Sequence, residues 1–164
     1  MTVATTGGFT SSQLINEEQI LTLPSLDLAG ALEIGEIAKS MAVLRKLPLA
    51  IQVRLSDWII YHASLPGSTS ENHWWIDRNA RVVSLKHHST LFERVSAEER
   101  EVNWHKENNL LDETHAIHGG GLPLITKNDG FVGMLLISGL PQVEDHLPGV
   151  EVLTEFLARK GELL

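Results

Sequence analysis

From Leu28 onward the apolar residues fall on a helical stripe: Leu28, Leu32, Gly35, Ala38 and Met41, widened by Ile34, Ile37 and Leu44. This spacing predicts an amphipathic helix with Asp27 as its N-cap and Pro48 beyond its end. The period then changes. In "PLAIQVRL" Leu49, Ile51 and Val53 alternate with Gln52 and Arg54, and "WIIYHA" follows after Ser56-Asp57, so a hairpin is expected. Strict alternation puts His62 on one face with Trp58 and Ile60. After "LPGSTS", Thr69 or Ser70 can cap a second helix through "ENHWWIDRNARVVSLK". On it Trp75, Asn79, Val82 and Lys86 share one line, and Trp74, Arg78 and Leu85 another. A short helix is expected near "STLFERVS", and the polar "AEEREVNWHKENN" reads as an exposed helical or loop excursion.

Two further apolar runs, "LPLITK" and "FVGMLLIS", flank Asn128-Asp129-Gly130. Asp-Gly between such runs predicts a hairpin, because these turns need positive φ. In the second run Phe131, Gly133, Leu135 and Ile137 alternate with Val132, Met134 and Leu136. Both sets are apolar, so this strand is expected to be covered on both faces and central. Val150, Leu153, Phe156 and Leu157 outline a last helix, with Pro148 suited to its first turn. The order helix, two strands, helices, two strands, helix predicts an α+β fold, a small antiparallel sheet with helices packed on it. Residues 1–11, rich in Thr, Gly and Ser, are expected to form a mobile tail before a single domain spanning 12–164.

Composition narrows the chemistry. The 164 residues are 43% hydrophobic, enough for one core without staples. There is no cysteine, which removes disulfides, thiolate metal sites, iron–sulfur clusters and cysteine nucleophiles. No apolar run approaches the length of a membrane span, and "MTVATTGGFTSSQ" lacks the basic start and apolar centre of a signal peptide. A cytoplasmic protein is expected, with no membrane partner. The net charge of −8 and the scattered basic residues argue against nucleic acid as a partner.

Eight histidines invite a search for ligand sets. His115 and His118 are three apart, one face of a helix if they lie on one, but no HExxH or comparable third and fourth ligand accompanies them, and no metal site is assigned. His87-His88 fit a helix end, where a cationic imidazole suits the dipole. His118-Gly119-Gly120-Gly121 leads into a strand with no following Lys-Ser/Thr, so it is neither a Walker loop nor a dinucleotide fingerprint. Three glycines free the backbone for a tight strand entry or for close approach to a ligand or another chain; the residues alone leave both open. Arg78, beside two tryptophans, could clamp a carboxylate, although a surface ion pair with Asp77 or a nearby glutamate is the commoner arrangement. Ser138 lacks a serine-hydrolase elbow, and no nucleophile can be paired with a base.

Three blocks give the chain a family likeness. The first runs from Leu65 to Val83, carried by Leu65, Pro66, Gly67, Asn72, Trp75, Ile76, Arg78, Val82 and Val83. The second is Ser89-Thr90, and the third is His118-Gly119-Gly120 with Pro123, Gly133 and "SGLPQVEDH" from Ser138 to His146. Together with "LPSLDLAGALEIG" these resemble the haem-degrading-domain family, also called GlcG/HbpS-like, and within it the short cytoplasmic subgroup, over about residues 14–157. Asn79 stands where the family pattern has Lys, and Pro148-Gly149 falls where its helix after His146 is continuous. The resemblance implies a profilin- or PAS-like α+β sandwich, homo-oligomers, and haem or a related planar carboxylated ligand as a cofactor. It implies a pocket near His118, Arg78, Ser89 and Ser138 with Gly119, Gly120 and Gly121 beside it, His118 serving as an axial ligand and Arg78 as a propionate clamp. The alternative function is a non-catalytic assembly or protein-interaction module. An enzyme acting on a small organic acid has little support in the residues.

Overall fold

In the computed structural model, which describes residues 7–161, four strands form one antiparallel sheet in the order β2-β1-β4-β3. The strands are β1 (Ala50–Leu55), β2 (Trp58–Ser64), β3 (Gly121–Thr126) and β4 (Gly130–Ser138). Among the described residues the helices are α1 (Ser11–Ile20), α2 (Leu28–Arg45), α3 (Ser70–Lys86), α4 (Thr90–Glu99), α5 (Trp104–Asn108) and α6 (His146–Arg159), with one 3₁₀ turn at Gln142–Asp145. The fold is α+β with the expected order of strands and helices. The helix α1 stands in front of that order and was not anticipated.

Both sheet faces are covered. On one, Ala31, Ile34 and Ala38 of α2 and Val152, Leu153 and Phe156 of α6 pack on Ile51, Val53, Leu135 and Ile137. On the other, Ile76, Ala80 and Val83 of α3 pack on Ala50, Met134 and Leu136. The double cover is why β4 is apolar at both parities. It also buries Gln52 and Arg54, which alternation had assigned to a polar face. They are tolerated there because Arg54 donates to Gln52 at 2.6 Å and to Asp77 of α3 at 2.7 Å.

Two β-bulges overturn the simple alternation. The β1–β2 register shifts between Val53 and Arg54, so Ile60 and Tyr61 both reach the α2 face while His62 pairs with Gln52 on the other. The β3–β4 register shifts between Leu124 and Ile125, so Phe131 joins Met134 and Leu136, and Val132 joins Leu135 and Ile137. An extra residue in one strand inverts the phase beyond it. The segment after α4 also differs from expectation: Trp104, in the stretch read as exposed, is 3% exposed and donates to Glu93. The chain from His146 to Arg159 is one continuous helix, with Pro148 in its first turn, where its missing N–H has no partner to lose.

Of the expected mobile tail, residues 1–6 lie outside the described residues. Residues 9–11 are drawn onto the body: Phe9 packs by Leu14, Leu91 and Val95, Thr10 caps α1, and the Ser11 N–H donates to Glu99 at 2.8 Å. Farther along α1, Glu17 pairs with His146 at 2.6 Å and Glu18 with His88 at 2.8 Å.

Candidate functional site

The N-terminal half of α3 presents Asn72, Trp75 and Asn79 along one stripe, as spacings of three and four dictate. Asn72 also holds the helix start, its Oδ1 accepting the Thr69 N–H at 2.8 Å. Opposite this stripe, the connection from α5 to β3 delivers His118 and Gly119, and the end of β4 delivers Ser138, Gly139, Leu140 and Pro141. Asp145, at the end of the 3₁₀ turn, completes a cleft of about 370 Å³.

Two glycines let the backbone close this way. At Gly120 φ is +123°, and a Cβ would collide with the Ile137 carbonyl oxygen. That oxygen is near because the Ile137 N–H donates to Gly120 at 2.8 Å, which holds the loop against β4. At Gly139 φ is +148°, and a Cβ would strike the Pro48 carbonyl oxygen. Side chains rarely adopt such angles.

The polar groups of the cleft are held unequally. Asp145 is 6% exposed, and its two oxygens accept the Leu140 N–H at 2.8 Å and the Gly139 N–H at 3.3 Å. Burial outweighs those two bonds and pushes its carboxyl up to about 7, with Glu144 adding to the rise. Ser138 accepts from Asn72 Nδ2 at 3.2 Å and keeps its own hydroxyl proton free to donate. His118 lies edge-on to Trp75, ring centroids 4.5 Å apart, and its ring nitrogens bond to no described residue. Burial lowers its pKa first, and the Arg94 charge lowers it further, so the imidazole is neutral at physiological pH. Asn79 is 3% exposed, and its Oδ1 is buried without a hydrogen-bond partner.

The structure thus brings His118, Gly119 and Ser138 together and leaves other expected site residues elsewhere. Gly120 and Gly121 lie behind the wall; the Gly121 N–H donates to Thr90 Oγ1 at 3.1 Å and begins β3. Ser89 caps α4, accepting the Phe92 N–H at 3.1 Å, and borders a separate void of about 10 Å³ with Glu17 and His146. Arg78 is neither a surface ion pair with Asp77 nor an open clamp. It is 1% exposed, its guanidinium lies 4.1 Å from the Trp74 ring centroid and 4.3 Å from that of Trp75, and it donates through Nε and Nη2 to the Asp112 carbonyl. The Asp112 carboxylate, 2.9 Å away, completes its shell. His115 lines a different groove with Arg54 and Asp77, so it shares no site with His118. Asn72, Trp75, Asn79 and Asp145 were not named as site residues from sequence. The line shared by Trp75 and Asn79 is the available signal for that pair; Asp145 lies in the block from Ser138 to His146, but nothing local tells it apart there from Glu144.

Residues 26–153 match the family described as haem degrading protein HbpS-like. A UPF0303 protein of Streptomyces avermitilis is 35% identical over 150 residues, covering 92% of each chain. Among solved structures, that of the Ybr137w protein superposes with a TM-score of 0.82 at 24% identity, over 90% of this chain and 88% of that one. The structure described as a PduOC:heme complex superposes with a TM-score of 0.65 at 16% identity, over 79% and 94%. At these identities the structural likenesses establish the fold.

Proposed function

Since the chain belongs to the family of haem-degrading HbpS-like proteins, we propose that it is a small-ligand-binding protein working from the cleft around His118, with haem the first ligand to test. The observation that carries this reading is the state of His118. A neutral imidazole with unengaged ring nitrogens, half-buried at the mouth of a cleft against an aromatic ring, suits axial ligation of an iron. The haem complex of a protein with the same fold supports the choice of ligand. The other half of the expected haem site does not fit: Arg78 is committed to Asp112, and among the described residues no lysine or arginine lines the cleft to clamp the propionates. Haemin titration of the purified protein tests the reading. A sharp Soret band that His118→Ala abolishes is the expected result. An unchanged band in the variant would remove His118, and no band would remove haem.

Self-association is the second reading. β2 is an edge strand whose Trp58 is 64% exposed and Ile59 46% exposed, an unpaired apolar rim suited to another copy of the chain. Light scattering on the eluting protein decides it, and a strict monomer would remove it.

A further inference from the structure

The chemistry of the cleft narrows what it can hold, on the premise above that the cleft is a ligand site. The side chains that line it carry several hydrogen-bond acceptors. Asp145 offers a carboxylate, His118 a ring lone pair, and Asn79, 3% exposed, an Oδ1 that is buried without a hydrogen-bond partner. Ser138 adds a hydroxyl. Among the described residues no lysine or arginine lines the cleft. The two arginines near His118 are answered elsewhere, Arg78 by Asp112 at 2.9 Å and Arg94 by Glu98 at 3.4 Å. An anion entering would therefore meet a buried carboxylate and no countercharge, while the net charge of −8 favours the approach of cations. The unpartnered Asn79 Oδ1 is the second, independent sign. A buried acceptor of this kind is costly to leave unmatched, and a ligand N–H can complete it. Trp75, Leu140 and Pro141 supply apolar walls for a flat body.

We infer that the cleft recognises a small molecule with an N–H-bearing head group, an amine, amidine or amide, read by Asp145 and Asn79 against the Trp75–Leu140–Pro141 wall, and that it rejects the carboxylate of the same shape. The head group supplies the donor that Asn79 Oδ1 lacks and a further one to Asp145, and its positive charge, where present, compensates the buried carboxylate.

Three probes of one shape test this: benzylamine, benzamide and benzoate. Their binding is followed at pH 8, above the Asp145 transition near 7, by titration calorimetry and by the shifts of the Trp75 indole and His118 ring signals. Benzylammonium should bind at least about tenfold more tightly than benzoate, with benzamide between them. Asp145→Asn should erase the preference of benzylammonium over benzamide, and Asn79→Leu should weaken both. The ranking in the unaltered protein stands as a test even if a variant does not fold. Benzoate binding as well as benzylammonium would overturn the inference and leave the ligand site standing. So would haemin binding at His118 with no response to any of the three probes. Silence from all three probes and from haemin alike would overturn both the inference and the proposed function.

Discussion

Replacing Asp145 by asparagine isolates the cost of one buried carboxylate. The group has a carboxyl pKa near 3.8 when solvated and about 7 in the fold, because burial outweighs the two N–H groups it accepts. A folded-state pKa above the unfolded one means that the fold favours the protonated form. Stability from this group is therefore complete below pH 4 and is lost as pH rises to 7. At 1.36 kcal/mol per unit, the full span corresponds to about 4 kcal/mol. Asparagine cannot ionise and is nearly isosteric. It keeps an acceptor for the Leu140 N–H but turns an amide nitrogen toward Gly139, a loss of about 1 kcal/mol. The variant should be the less stable protein by about 1 kcal/mol in acid, where the group is protonated in both states, and the more stable by about 3 kcal/mol at pH 8, the curves crossing at about pH 4.5. Urea unfolding followed by tryptophan fluorescence from pH 4.5 to 8.5 measures the difference, in which the other titrating groups cancel. A difference that stays constant within about 0.5 kcal/mol across this range would show that Asp145 is not desolvated as described.

Substitutions at Arg78 and at Gly120 probe what supports the site from behind. Arg78→Leu removes the guanidinium from between Trp74 and Trp75 and from the Asp112 carbonyl, and should cost about 2–4 kcal/mol in urea unfolding; Arg78→Lys should recover less than half, since an ammonium cannot stack and fork at once, and full recovery would refute the role of the planar group. Gly120→Ala should cost about 3 kcal/mol or more, against about 1 kcal/mol for Gly130→Ala, whose φ is also positive but whose Cβ would meet open space. Equal losses at the two glycines would refute the close approach of Gly120 to β4.

Much of the fold was legible because its signals are local. Asp27 caps α2 by accepting the Gly30 N–H at 2.7 Å, three residues away. Asp129-Gly130 turns the β3–β4 hairpin, with φ of +71° at the glycine. The two apolar parities of β4 announced a strand covered on both faces. The same local logic failed at the bulges, since a bulge is a relation between two strands and leaves no mark in either alone. It failed for α1 as well, a polar segment whose one buried residue is Leu14 and whose hold on the body comes from Glu99, His88 and His146, far along the chain.

By itself, then, the sequence determined the order of strands and helices from α2 onward, the family, and the loop and strand end that bring His118, Gly119 and Ser138 to one place. Only the tertiary structure decided which groups there are free to act. Arg78 carries its charge in any sequence reading, but that charge is committed to Asp112, 34 residues away. Asp145 reads as an ordinary acid until the turn at Gly139 and Leu140 closes over it. The physical reason is that desolvation and the presence or absence of a partner belong to the surroundings of a side chain, and those surroundings are assembled from residues that are distant in the chain.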